Sequence, residues 1–280
     1  IGIVTKPELT AAATTLAELD AWLQEHGVSA QWSDEAAALA PPRAARTVVS
    51  RERIGEGTDL VLVLGGDGTL LAVADILGQR GQDVPILGVN FGSLGVLTEI
   101  TRPELFAALA AATAGHIEHD ERMMLCGRTA SESRVALNDI VFTRTALSRM
   151  IDLDVTVGDQ FVTSVRSDGL IVATPTGSTA YNLSARGPIV SPAHRAVLLT
   201  PVSPHMLFDR SLVLDPSEAI TLEVLPRPDA ALVVDGNVVA TVRPGDVVRC
   251  GAGRTDARLV TFNGRDFHAI LKSKFGLADR

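Results

Sequence analysis

Only two cysteines, Cys126 and Cys250, occur among 280 residues, which is too few for a disulfide framework and lacks the paired spacing of a zinc site. Both read as small buried hydrophobes. No apolar run approaches the ~20 residues of a membrane span, because Gly, Asp, Pro or Arg interrupts every hydrophobic stretch. Positive charge is also scarce: a formal net charge of −8 excludes a broad phosphate-backbone surface, so nucleic acid is not an expected partner and any anion site is local. Internal repeats and low-complexity tracts are absent. What remains is a chain that is 46% apolar, enough for a filled core and long enough for two domains, with a soluble, cytoplasmic placement expected. Its opening Ile1-Gly2-Ile3-Val4 is strand-like, shows no signal-peptide pattern and lacks an initiating methionine, so a short leader is expected to be missing.

Up to about residue 115, β-branched runs alternate with alanine-rich helical segments, the rhythm of βαβ units and a parallel sheet. Strands are expected at 1–4, 28–32, 60–64 and 86–89. Helices are expected after Thr10 as a cap, with Leu16, Leu19 and Leu23 on one face and Gly27 ending it, and again at 70–77 and 103–112. Beyond Asp120 the apolar runs become short and often alternate: 135–142, 151–157, 161–165, 170–174, 220–225, 232–234, 247–250 and 259–262. Gly158-Asp159 marks a tight hairpin. One helix is expected near 179–185 and a last one near 268–275. The division that follows is an α/β domain over 1–118, a mainly-β, β-sandwich-like domain over 119–262, and a C-terminal helical segment over 263–280 returning to the first domain.

The strongest local feature is the loop Gly65-Gly66-Asp67-Gly68-Thr69, which joins a buried strand to a helix at the carboxyl edge of the parallel sheet, where open α/β sheets bind ligands. Glycines let backbone amides approach phosphate oxygens. A carboxylate beside bound phosphate is repelled unless it has a task, such as accepting a hydroxyl proton or holding a metal ion. Taken alone, the same four residues also read as a tight turn with Asp67 capping the helix. The Gly-Lys-Ser/Thr ending of a P-loop is missing, and Leu71 stands where a Rossmann fingerprint wants Gly or Ala. Asn90-Phe91-Gly92-Ser93-Leu94-Gly95 lacks the first glycine of a nucleophile elbow and reads as a second glycine loop close to the first.

In the second half, Asn138-Asp139 reads as a site pair or a strand-edge turn, and Asp168-Gly169 heads a strand. The run Thr174-Pro175-Thr176-Gly177-Ser178-Thr179-Ala180-Tyr181-Asn182 offers amides and hydroxyls to a sugar, base or phosphate, or else forms an ordinary helix cap. Tyr181 is the only tyrosine and suits a purine or ribose face. Arg149 and Arg166 are candidate phosphate contacts, Arg166 the better one because strand alternation puts it on the face of Asp168. His116 and His119 lie in an expected interdomain linker without a further ligand and read as a solvated pair. No metal ligand is assigned.

Together and in order, residues 65–69, 90–95, Leu137-Asn138-Asp139, Arg166-Ser167-Asp168-Gly169, 174–182, Gly187-Pro188-Ile189, Ser203-Pro204-His205 and Val234-Asp235-Gly236 resemble the successive motifs of the NAD kinase family across nearly the whole chain. GGDG alone is shared with lipid kinases and phosphofructokinases; the later motifs are more specific. The resemblance implies phosphoryl transfer from ATP or polyphosphate to the 2′-hydroxyl of the adenosine ribose of NAD, in a homodimer or homotetramer, with the site shared by the two domains. It implies Asp67 as general base, Gly65, Gly66, Gly68 and Thr69 as the donor-phosphate loop, Asp67 and Gly68 as NAD contacts as well, and Asn138 and Asp139 as holders of the acceptor ribose or adenine. By the same resemblance Asp168, Thr179, Ala180, Tyr181, Asn182, Leu183 and Ser184 line the NAD groove, and Arg149, Arg166 and Asn237 face the dinucleotide. Asp139 stands where many relatives carry Glu, and Val96 replaces a common aromatic. The sequence offers no dense metal cage, so Mg²⁺ is expected to arrive on the donor polyphosphate. The alternatives are a lipid or sugar kinase of the wider GGDG group and a non-catalytic dinucleotide sensor.

Overall fold

In the computed structural model the described residues are 1–92, 95–98, 100–145, 150–205, 209–226, 228–262 and 267–275. The chain divides into two units, Ile1–Glu121 with Ala257–Arg280, and Arg122–Asp256.

In the first unit five parallel strands lie in the order β3-β2-β1-β4-β5: β1 (Gly2–Thr5), β2 (Gln31–Ser33), β3 (Thr47–Val49), β4 (Val61–Gly65) and β5 (Ile86–Asn90). The short β6 (Ile100–Thr101) extends β5. Helices α1 (Ala13–Glu25), α2 (Asp34–Leu39), α3 (Asp67–Gln79) and α4 (Leu105–Thr113) alternate with these strands. Leu62 and Leu64 of β4 and Leu87 and Val89 of β5 pack with Leu16, Leu19 and Leu23 of α1 and with Leu105 and Leu109 of α4. Each such fully buried side chain contributes roughly 1.5–3 kcal/mol relative to exposure. Alternate residues Val61 and Val63 are equally buried, which explains a central strand without polar alternation. Thr10 does not cap α1: a 3₁₀ turn, Thr10–Ala12, precedes the helix and has no side-chain cap. Gly27 closes the helix end at φ 63°.

The second unit is built from β7 (Glu118–Arg128), β8 (Ser133–Ala136), β9 (Asp139–Arg144), β10 (Ile151–Val157), β11 (Gln160–Ser167), β12 (Gly169–Ala173), the single turn α5 (Tyr181–Ser184), β13 (Val197–Val202), β14 (Leu212–Leu214), β15 (Ile220–Val224), β16 (Ala230–Val234), β17 (Asn237–Val242) and the long β18 (Val247–Thr261). One antiparallel sheet has the order β14-β13-β12-β9-β16-β17, and β11-β10-β15-β18 forms the other. Inward residues of both, among them Phe142, Leu153, Leu170, Leu222, Leu232 and Val248, share one core, so this unit is a sandwich. Outward Val141, Ile171, Ala173 and Leu198 form a second cluster with Ala185 and Val190. The hairpin Gly158-Asp159 is present, with Gly158 at φ 58° and Val157 paired to Gln160.

Several expected boundaries change. The run 135–142 is two strands, because the chain passes at Leu137-Asn138 from the sheet in which β8 pairs β7 to the sheet in which β9 pairs β12 and β16. The runs 247–250 and 259–262 are one strand, β18, whose last residues from Ala257 onward belong to the first unit, where Leu259 pairs Ile86. The supposed linker at 116–120 is already β7 from Glu118. The helix near 179–185 begins as a 3₁₀ turn at Thr176–Thr179 and breaks at Ala180, at φ −93° and ψ −130°. The last helix, α6 (Phe267–Phe275), lies in the chain segment assigned to the first unit.

Candidate active site

In the first unit β4 runs into the glycine loop, and Gly66, extended at φ −140° and ψ −172°, leads α3 without a side-chain cap. Thr69 N and Leu70 N donate to Gly66 O at 3.0 and 3.2 Å, and the amides of Asp67 and Gly68 stand ahead of them at the helix start, where an anion binds a helix N-terminus. Asp67, the first residue of α3, does not cap its own helix. Its carboxylate turns to the second glycine loop, where Oδ2 accepts from Val96 N at 2.7 Å and Oδ1 accepts from Leu97 N at 3.1 Å, Thr98 N at 3.1 Å and Thr98 Oγ1 at 3.0 Å. Thr98 Oγ1 accepts in turn from Asn90 Nδ2 at 2.9 Å, and Asn90 Oδ1 accepts from Gly92 N at 2.6 Å. This chain of bonds fixes the two loops together, as expected of two loops leaving one sheet edge. A Cβ at Gly65 would collide with the Thr69 side chain, whereas one at Gly66 or Gly68 would meet nothing within 4 Å. A carboxylate offers about four lone-pair sites, and Oδ2, holding one donor, keeps capacity for a hydroxyl. Ser93 and Leu94 lie outside the described residues.

In the second unit Leu137, Asn138 and Asp139 meet the segment that starts at Thr174. Thr174 N donates to Asn138 O at 2.9 Å, Thr174 Oγ1 to Leu137 O at 2.6 Å, and Gly177 N to Thr174 Oγ1 at 2.9 Å. Asp139 is 4% exposed, and its carboxyl pKa is raised to about 7, first by burial and then by the charge of Asp235. Asn138 is half-buried. The hydroxyl-rich segment is braced by Asn182, whose Nδ2 donates to Ser178 O at 3.1 Å and Pro188 O at 3.0 Å while Oδ1 accepts from Thr200 Oγ1 at 2.7 Å. The Asn182 side chain is thus spent inside the protein. Tyr181 and Ser184 are exposed, and Thr179, Ala180 and Leu183 are half-buried.

Asp168 sits between β11 and β12 with Oδ1 2.9 Å from Arg144 Nη1, whereas Arg166 pairs through Nε with Asp152 at 3.2 Å. The two side chains take different partners. Asn237 is exposed at the start of β17, its Nδ2 3.4 Å from Asp235 O. Arg149 lies outside the described residues. His116 and His119 are exposed, and the His119 pKa is lowered by partial burial and then by Arg258. Among the described residues no group of three or more His, Cys, Asp or Glu is arranged to hold a metal ion. Sequence reasoning missed the Val96–Thr98 amides, which carry no side-chain signal, and the part played by Asp235, for which the Asp-Gly turn was the available sign.

The ATP-NAD kinase N-terminal domain family matches residues 1–117, and the ATP-NAD kinase C-terminal domain family matches residues 137–262. A NAD kinase of Geotalea daltonii is 40% identical over 274 residues, covering 94% of this chain and 93% of the relative. A NAD kinase of Syntrophotalea carbinolica is 44% identical over 229 residues, 79% of each. Among solved structures, yeast NADH kinase complexed with NADH superposes with a TM-score of 0.88 at 26% identity, covering 99% of this chain and 88% of that one. An NAD kinase from Archaeoglobus fulgidus in complex with ATP shares the fold, with a TM-score of 0.76 at 24% identity over 99% of this chain and 98% of that one. With both domain families matched and full-length relatives near 40% identity, the chain belongs to the NAD kinase family.

Proposed function

We propose that this chain makes NADP by moving the terminal phosphoryl group of ATP to the 2′-hydroxyl of the adenosine ribose of NAD, with Asp67 taking the hydroxyl proton. NAD kinase activity follows from the family, and neither the wider lipid- or sugar-kinase reading nor the silent sensor is favoured by it. The observation that carries the role of Asp67 is its asymmetric carboxylate, which is fixed through Oδ1 and left with acceptor capacity at Oδ2. Phosphoryl transfer asks of protein mainly positioning, charge stabilisation and a base. The uncapped start of α3 with Gly66 and Gly68 would receive donor phosphates. Asn138 and Asp139 would hold the acceptor ribose or adenine, beside a groove lined by Asp168, Thr179, Ala180, Tyr181, Leu183 and Ser184, with the buried Asn182 bracing it from within.

Mg²⁺ fits this donor set only as an ion that keeps waters and rides on phosphates, since it is commonly bound by one or two carboxylates plus substrate. When bound it neutralises charge on the transferring phosphoryl group. Arg149, Arg166 and Asn237 are proposed to face the dinucleotide, the enzyme to work as a homodimer or homotetramer, and the cell compartment to be the cytoplasm. No helix among the described residues is long and apolar enough to cross a membrane.

The test is an activity matrix of NAD or NADH against ATP or polyphosphate with Mg²⁺, read by an NADP-specific dehydrogenase, with light scattering for subunit number. Asp67→Asn is expected to lower kcat by about 10²–10⁴-fold while NAD binding by calorimetry stays nearly intact. A mutant that keeps most of its turnover removes Asp67 from the role of base.

A further inference from the structure

Between β8, which pairs β7 in one sheet, and β9, which pairs β12 and β16 in the other, the amides of Leu137, Asn138 and Asp139 converge on one carboxylate. Leu137 N lies 2.8 Å from Asp235 Oδ2, and Asn138 N and Asp139 N lie 2.8 and 2.9 Å from Asp235 Oδ1. Successive amides pointing one way make an anion-binding concavity. Here the anion is a side chain of the same protein, 97 residues from Asn138 in sequence. The contact is made from both sides, since Asp235 N donates to Asp139 O at 3.0 Å.

Asp235 is presented by the β16–β17 hairpin, where Val234 pairs Asn237 across the two-residue turn Asp235-Gly236. Both turn residues have positive φ, 45° and 82°, the geometry that Asp-Gly favours in tight hairpins. The turn therefore aims a carboxylate at the strand break. On the opposite side Thr174 holds the carbonyls of Leu137 and Asn138. Every peptide group around Asn138 is thus fixed, its amides by Asp235 and its carbonyls by Thr174.

We infer that Asp235 is a positioning residue for the acceptor, a built-in anion that shapes the Leu137–Asp139 turn so that Asn138 and Asp139 meet the dinucleotide in one fixed pose. This rests on the reading of Asn138 and Asp139 as the acceptor-holding pair. The charge matters as well as the shape. A carboxamide at 235 could accept from Asn138 and Asp139 through its oxygen, but its NH₂ would then face the Leu137 amide, donor against donor. Burial first, and then the charge of Asp235, raises the carboxyl pKa of Asp139.

The test compares Asp235→Asn with Asn138→Ala in the full-length protein, measuring kcat and the KM for NAD and for ATP separately. Asp235→Asn is expected to raise the KM for NAD by about tenfold or more, with kcat at saturating NAD within about threefold and the KM for ATP unchanged. A role confined to general stability would lower the amount of active protein without moving one substrate's KM. If Asn138→Ala raises the KM for NAD and Asp235→Asn leaves it within twofold, the positioning role is overturned and the reading of the pair stands. If neither variant moves it, the pair itself is misassigned and the inference goes with it. Should Asp235→Asn not fold, amide exchange in the wild-type protein reads the clamp directly. Slow exchange at Leu137, Asn138 and Asp139 supports it, and rapid exchange at all three overturns it.

Discussion

Gly95 backs directly onto the carboxylate of Asp67, so closely that a Cβ at 95 would occupy the place of Oδ1 and crowd Thr98 Oγ1 as well. The second glycine loop therefore serves the first: it is the mould in which Asp67 is held. Gly95→Ala should drive the carboxylate off the Val96–Thr98 amides without altering a single candidate catalytic side chain. The expected result is a loss of kcat approaching that of Asp67→Asn, on the order of 10²-fold or more, with NAD affinity by calorimetry changed little. Steady-state kinetics near wild type would show that Asp67 works without this mould.

Asp139 makes stability depend on pH in a definite direction. Burial and the Asp235 charge raise its carboxyl pKa to about 7 from the ordinary 3.8. Between those values the native protein keeps a proton that the unfolded chain releases, so stability declines as pH rises through this window and levels off above about 7. The loss is at most about 4 kcal/mol. Asp139→Asn cannot ionise and should be stabilised relative to wild type by more at pH 8 than at pH 4.5 in urea unfolding. An equal difference at both pH values would mean that Asp139 is ionised throughout.

What was legible in the sequence was whatever rests on period and on side chains near one another in the chain. The unbroken run 60–64 announced a strand covered on both faces, and the alternation at 151–157 announced a sandwich strand with its boundaries intact. The strand Val247–Thr261 was not legible as one element because its apolar runs 247–250 and 259–262 are separated by Gly251, Gly253 and the polar Arg254, Thr255, Asp256 and Arg258. Gly253 is there for another reason: a Cβ would approach Met124 O to 3.1 Å, so the glycine permits close backbone contact inside a strand. The start of β7 was hidden by Glu118-His119-Asp120-Glu121, polar residues largely exposed to solvent. Asp67 was legible as a residue, but its partners are backbone amides some 30 residues away, which no side-chain pattern advertises. Asp235 was visible as half of a hairpin turn, and only the folded sheet reveals what its carboxylate reaches.

The two cysteines should differ sharply in reactivity. Cys250 is 1% exposed in the sandwich core, and burial, followed by the neighbouring Cys126, pushes its thiol up to about 12. Since the thiolate is the nucleophile, Cys250 should resist maleimide in the folded protein. Cys126, only half-buried with Sγ 3.3 Å from Ser133 Oγ, should be modified first. Intact-mass measurement is expected to show one adduct in buffer and two in denaturant. Rapid double labelling under native conditions would contradict the closed core around β18.

Asn182 offers the sharpest separation between bracing a groove and lining it. Its two amide hydrogens are committed to Ser178 O and Pro188 O and its oxygen to Thr200, within a site that is 0% exposed. Gly187 leaves no room for a Cβ beside the same carboxamide. Asn182→Asp keeps the shape but turns a donor into an acceptor facing two carbonyls in a buried place, so it should cost about 3 kcal/mol or more. Thr200→Val, remote from the hydroxyl-rich segment in sequence, leaves Asn182 Oδ1 without its donor and should cost about 1–3 kcal/mol. Because the brace sets the path of residues 176–184, Thr200→Val should also raise the KM for NAD severalfold while leaving the KM for ATP alone. Denaturant unfolding and paired kinetics check both numbers. A Thr200→Val enzyme with full stability and an unchanged KM for NAD would show that the segment holds its course without Asn182.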